Sequence, residues 1–125
     1  MNLKENLVTS NKQPTAAMIV IGNEVLSGRT KDKNIGWVAE QLEQNGIKLV
    51  EARIIRDDQE TIISTIKEIY KLADYVFTSG GIGPTHDDIT TLAIGKAFDV
   101  SVERNKEALR RLQEHYKGTN ICLLY

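Results

Sequence analysis

Residues Ala16-Ala17-Met18-Ile19-Val20-Ile21 form an uninterrupted apolar run with no polar position to turn toward water. Its length and β-branched content suit a strand buried on both faces, the usual state of a strand inside a parallel sheet. A parallel neighbour needs a crossover, normally a helix, so this run constrains everything downstream. Ile35, Val38, Ala39 and Leu42 follow with the i, i+3, i+4, i+7 spacing of an amphipathic helix, which Asp32 or Asn34 can cap and Gly46 can end. Residues 47–55 alternate apolar side chains with Lys48, Glu51 and Arg53, which reads as a strand nearer the sheet edge. Asp57 and Glu60 resemble a capping box opening a second helix, whose buried stripe is Ile62, Ile66, Ile69 and Ala73. Tyr75-Val76-Phe77-Thr78 is a third strand. Ile89, Leu92, Ala93, Ala97 and Phe98 pack the helix after it, and Ser101 is placed to cap a last helix over residues 102–117 carrying Leu109, Leu112 and Tyr116 on one face. Trp37 is read as a packing residue, at a subunit contact. Strands alternating with helical stretches predict an α/β fold around a mainly parallel sheet with right-handed crossovers.

In that architecture ligands bind beyond the carboxyl ends of the strands. The segments 22–32, 56–58 and 79–88 all follow predicted strands, so they converge on one end of the sheet. The third is the most informative: Ser79-Gly80-Gly81-Ile82-Gly83-Pro84-Thr85-His86-Asp87-Asp88-Ile89-Thr90. Three glycines in four positions remove the β-carbons that hold a ligand off the backbone, and the following helix offers unpaired N–H groups, so the loop is suited to cradle a phosphate or oxyanion. Asp87 and Asp88 would repel such a ligand. A divalent cation, Mg²⁺ above all, resolves the conflict by bridging carboxylate and phosphate oxygens, with Asp87 and Asp88 as its ligands. The alternatives are that one acid only caps the helix, or that a carboxylate binds a neutral polar group or serves as a general base.

The loop Gly80-Gly81-Ile82-Gly83-Pro84-Thr85-His86-Asp87-Asp88-Ile89-Thr90 resembles the signature loop of the MoaB/Mog molybdopterin-binding domain. Its Gly-Pro-Thr-x-Asp-Asp form is most similar to the branch found in competence/damage-inducible protein A (CinA) and in the N-terminal half of some FAD synthases. Gly22-Asn23-Glu24 with Ser27-Gly28, Asp32 and Asn34 resembles the family's first segment, and Arg56-Asp57-Asp58 its second. The resemblance covers residues 15–100. It implies a three-layer α/β domain, often trimeric, that binds molybdopterin or a nucleotide. By position it marks Asp57 and Asp88 as the catalytic acids. It implies ligand contacts at Gly22, Asn23, Glu24, Ser27, Gly28, Asp32, Asn34, Ser79, Gly80, Gly81, Gly83, Pro84, Thr85, Asp87 and Thr90.

Two reactions follow from the resemblance: metal-dependent cleavage of nucleotide pyrophosphates such as ADP-ribose or FAD, and adenylation of molybdopterin. Ile82 stands where the molybdopterin enzymes usually carry Thr, which favours the first. The family pattern continues past position 117, so the chain reads as shortened at its carboxyl end, with a non-catalytic remnant as the alternative reading. On that reading a homo-oligomer is needed to cover the apolar surface left open.

The 125 residues bound one domain over 15–125, with 1–14 a polar, flexible leader. Sixteen basic against 17 acidic residues, a net charge of −1, give no reason to expect nucleic acid or an acidic membrane as partner. The lone Cys122 excludes an intrachain disulfide and fits a reducing cytoplasm. No apolar run approaches the roughly 20 residues of a membrane span.

Overall fold

The computed structural model describes residues 12–120. Its elements run β1 (Thr15–Ile21), α1 (Asn23–Leu26), α2 (Asn34–Gln44), β2 (Lys48–Ile55), α3 (Gln59–Ile69), β3 (Tyr75–Ser79), α4 (Thr90–Ala97) and α5 (Lys106–His115). Most of the leader and most of the apolar tail after Gly118 lie outside the described residues.

The three strands are parallel and ordered β2-β1-β3. The apolar run therefore occupies the centre, and every residue from Ala16 to Ile21 is at most 3% exposed. Both neighbours are edge strands, which explains why β2 alternates and why Tyr75 and Phe77 of β3 stay exposed. At the far end from the glycine loop, Asp74 accepts hydrogen bonds from the Thr15 N–H (2.8 Å) and hydroxyl (3.1 Å), fixing β3 against β1.

Period two sends Ala17, Ile19 and Ile21 to one face of β1, where they pack with Ile55, Ile62, Ile66, Ile69 and Ala93 from β2, α3 and α4. Each isoleucine buried here contributes about 1.5–3 kcal/mol by its removal from water. Ala16, Met18 and Val20 face the opposite way. The chain steps from β1 to β2 in one direction and from β2 past β1 to β3 in the other. Right-handed crossovers then put α2 and α3 on opposite faces, giving three layers.

Three expectations need correction. Asp57 does not cap α3. Asp58 does, accepting from the Thr61 N–H (3.1 Å) and from the Thr61 hydroxyl, because the helix begins one residue later than the box reading requires. The last helix starts at Lys106 and is capped by Asn105, whose Oδ1 accepts from the Ala108 N–H (3.0 Å); residues 101–105 are irregular and Ser101 caps nothing. Leu92 and Phe98 are 55% and 41% exposed, since only Ile89, Ala93 and Ala97 of that helical stretch face the core. Trp37 is 63% exposed in the single chain, and the subunit contact expected of it involves another copy.

Candidate functional site

Strand order β2-β1-β3 creates a switch point. The connection leaving β1 turns to one face, that leaving β3 to the other, and a crevice opens between the two strand ends. A cavity of about 410 Å³ lies there, lined by Val20 and Ile21 of β1, Ser79 and Gly80 at the end of β3, and Glu24, Val25, Thr30, Lys31, Asp32, Lys33 and Asn34. Asn34 bridges the mouth, its Nδ2 donating to Ser79 Oγ at 2.6 Å. Asp32 is spent on structure: its carboxylate accepts from the N–H groups of Asn34 (3.2 Å) and Ile35 (2.9 Å) and holds the start of α2.

The glycine pair after β3 makes the crevice possible. Gly80 and Gly81 have φ of 96° and 64°, in the left-handed region that non-glycine residues avoid. A β-carbon on Gly80 would overlap the carbonyl oxygen of Ile21, and one on Gly81 would overlap Thr90 Oγ1. Thr90, 1% exposed, closes the loop from behind: its hydroxyl donates to Gly80 O (2.9 Å) and its N–H to Gly81 O (3.1 Å). Thr90 is thus a support of the cradle. Beyond it, Gly83, Pro84, Thr85 and Asp87 are exposed along the outer loop. Asp88 curls back on this loop. Its Oδ2 accepts from the Thr85 N–H (3.0 Å) and hydroxyl (2.7 Å), which hold its carboxyl below the usual carboxylate range. Asp88 therefore closes a turn and caps no helix; α4 begins two residues later, at Thr90. Asp87 lies 3.2 Å from His86 Nε2.

Asp57 has the opposite environment. Its backbone N–H donates to Asn23 Oδ1 (3.1 Å), tying the loop after β2 to the loop after β1. Its Oδ1 is buried and is the single such atom without a hydrogen-bond partner among the described residues. That oxygen stands 3.7 Å from where a β-carbon of Gly81 would be. Burial pushes the Asp57 carboxyl upward, and the charges of Asp88, Glu24 and Asp87 push it further. Glu24 folds over Gly22 at the end of β1, where Gly22 N–H donates to Ile55 O (3.1 Å). Ser27 and Gly28 shape the turn after α1, Ser27 Oγ donating to Glu24 O at 3.2 Å and Ser27 N–H to Asn23 O at 2.9 Å.

The structure thus brings together Gly22, Asn23, Glu24, Asp57, Gly80, Gly81, Asp88 and Thr90, with Asp32, Asn34 and Ser79 around the crevice. Among the described residues no three His, Cys, Asp or Glu side chains converge as a ready-made metal cage. The arrangement suits Mg²⁺ better than a closed cage would, since that ion takes one or two carboxylates and completes its shell with water and phosphate. An unpartnered, buried carboxylate oxygen beside other acids is stabilised by a cation or by a proton. Sequence reasoning singled out neither Lys31 nor Lys33; their position either side of a helix-capping Asp was the available signal. No helix among the described residues is long and apolar enough to cross a membrane.

A CinA-like protein of Sulfurihydrogenibium is 37% identical over 106 residues, 85% of this chain and 26% of the relative. A "Probable FAD synthase" of Caenorhabditis elegans is 38% identical over 96 residues, 77% of this chain and 18% of the relative. Among solved structures, the protein CinA of Thermoplasma acidophilum matches with a TM-score of 0.77 at 29% identity, covering 86% of this chain and 63% of that one. The chain spans less than two thirds of the length of each. The parallel sheet, the crevice at its switch point and the glycine loop agree with a family model described as "Probable molybdopterin binding domain", which matches residues 17–123, and the chain belongs to that family.

Proposed function

We propose that the chain binds a phosphorylated pterin or nucleotide across the ends of β1 and β3 and cleaves a nucleotide pyrophosphate of the ADP-ribose or FAD type with the help of a divalent cation. The observation that carries this reading is the buried, unpartnered Oδ1 of Asp57 set among Asp88, Glu24 and Asp87. A site that gathers carboxylates and leaves one oxygen unsatisfied needs either a cation or a proton. Asp57, Asp87 and Asp88 are the residues to hold the cation. Bound there, it would supply charge neutralisation and polarise a phosphoryl oxygen.

The chain's own residues do the rest. Gly80 and Gly81 let the diphosphate approach the backbone, and Asn34 and Ser79 orient the ligand at the mouth. Asp57, whose carboxyl is raised by burial, takes the proton of the attacking water as the P–O–P bridge breaks. Hydrolysis of ADP-ribose in this way yields AMP and ribose 5-phosphate.

The resemblance of the Gly-Pro-Thr-x-Asp-Asp loop to the CinA and FAD-synthase branch, which is linked to cleavage of nucleotide pyrophosphates, favours that chemistry over adenylation. So does Ile82, 68% exposed on the loop and lacking a hydroxyl. Molybdopterin adenylation is the second reading, favoured by the family description. AMP release from ADP-ribose and FAD with Mg²⁺, Mn²⁺ or Co²⁺, measured beside ATP-dependent adenylation of molybdopterin, separates the two. Calorimetry that finds no binding of molybdopterin, ADP-ribose or FAD, with or without Mg²⁺, sinks both. A homo-oligomer, a trimer by resemblance, belongs to the same reading, because Trp37, Val50 and Ile54 are exposed in the single chain. Light scattering that shows a well-folded monomer at micromolar concentration removes that part.

A further inference from the structure

We infer that Lys31 and Lys33 form an anion-binding wall of the crevice and make it prefer ligands with two or more phosphate charges. The inference rests on the phosphate-ligand reading above and adds the residues that select for charge. Both lysines line the 410 Å³ cavity at the ends of β1 and β3. The residue between them, Asp32, has its carboxylate engaged by two N–H groups of α2, so the acid nearest in sequence is turned to the helix. Neither lysine has a hydrogen bond or an ion pair with any described residue, in contrast to Arg53, Arg56, Arg110, Arg111 and Lys96, all of which are partnered.

The position of the two glycines gives the wall its purpose. Gly80 lines the lysine cavity, whereas Gly81, the next residue, abuts Asp57. A diphosphate laid over the Gly80–Gly81 backbone would therefore have cations at one end and carboxylates at the other. The acids around Asp57 repel phosphate, so a ligand that arrives before its metal needs positive charge on the remaining wall. Without metal the lysine end is the one that attracts phosphate, and a diphosphate brings more negative charge to it than a single phosphate does. The lysines thereby discriminate by ligand charge, while the fold of the loop is set by Asp32 and is independent of them.

The test is calorimetric titration of the full chain with inorganic pyrophosphate, ADP-ribose, AMP and adenosine, all without divalent metal. The parent should bind pyrophosphate and ADP-ribose more tightly than AMP and adenosine, with affinity falling as salt is raised. Lys31→Gln or Lys33→Gln should weaken pyrophosphate binding about threefold each, and the double variant about tenfold, at unchanged melting temperature. The double Lys→Arg variant should retain binding. If the double Gln variant binds pyrophosphate as the parent does, the lysines are not the wall and the inference is overturned, with the ligand reading intact. Equal affinity of the parent for adenosine and ADP-ribose also overturns it and leaves the crevice as a ring-binding site. A parent that binds none of the four, and none with Mg²⁺ added, overturns this inference and the proposed function together.

Discussion

The chain carries two Asp-Asp pairs, each following a strand and preceding a helix, and the fold uses them in opposite ways. After β2 a single residue, Arg56, separates the pair from the strand and none separates it from α3. The second acid, Asp58, is consumed as the helix cap, which leaves Asp57 pressed inward with an unsatisfied oxygen. After β3 seven residues, 80–86, precede the pair, a loop long enough to bond to itself. Asp88 is satisfied by Thr85 and Asp87 is solvated. The same dipeptide thus produces one carboxyl raised by burial and one lowered by hydrogen bonding. What distinguishes them is the length of chain between strand and helix. A short connection leaves polar groups no local partner, and that is where unmet chemistry accumulates.

The most drastic way to break the comparison is to separate the two loops. Gly80→Ala places a methyl group on the Ile21 carbonyl and strains a backbone at positive φ, so it should destabilise the protein by more than about 3 kcal/mol. A urea midpoint equal to the parent's would show that the glycine is not what holds the loop to β1.

Next in size is the effect on turnover. Asp57→Asn and Asp88→Asn each keep shape and remove charge. AMP release from ADP-ribose with Mg²⁺ should fall about 100-fold or more in both. Parent-like rates in both variants would reduce the pairs to structural features.

Stability separates the pairs more finely. Asp58→Ala removes the cap of α3 and should lower the melting temperature by roughly 4–8 °C. Asp57→Asn removes a buried charge that nothing compensates and should raise it by a few degrees. Calorimetric scans of both variants at neutral pH decide the matter, and a fall on Asp57→Asn would show that the Asp57 charge is compensated in the folded state.

The smallest effect is the pH dependence, where the pairs differ in sign. Asp57 has a raised carboxyl in the folded state, so its contribution to stability is present below the ordinary carboxylate range and is lost as pH rises through the raised value. Asp88 has a lowered one, so its contribution is present above the ordinary range and is lost as pH falls through the lowered value. Relative to the parent, Asp57→Asn should gain stability toward neutral pH and Asp88→Asn should lose it, by less because Asp88 is screened by solvent. Urea midpoints from pH 3 to pH 7 give both slopes, and slopes of the same sign would refute the contrast.

Much of the fold was legible because it is written in periodicity. The apolar run declared a central strand, and the Ile62, Ile66 and Ile69 stripe declared the buried side of α3. The glycine run declared a tight loop at the end of β3, where Gly80 and Gly81 take up left-handed backbone. Legibility failed where one residue of register decides the outcome. Asp57 and Asp58 are equal candidates for a cap until the first turn of α3 is known, and Asn105 displaced Ser101 for the same reason. It failed again for Leu92 and Phe98, whose apolar character says that burial is favourable without saying what stands opposite. Lys31 and Lys33 escaped notice because the cavity wall is assembled from two loops distant in sequence and has no signature in either one.

Strand order also has a consequence for how the chain comes into being. β1 is made first yet sits in the middle, with Ala16 paired to Leu49 on one side and to Tyr75 on the other. Its second edge stays open until residues 75–79 have been synthesised, some 60 positions later. Contacts of that sequence separation are slow to form, and an apolar strand with an open edge is prone to self-association in the meantime. The stretch that makes the finished core secure is therefore the one most exposed to aggregation during synthesis, and refolding yield should depend on protein concentration more steeply than stability does.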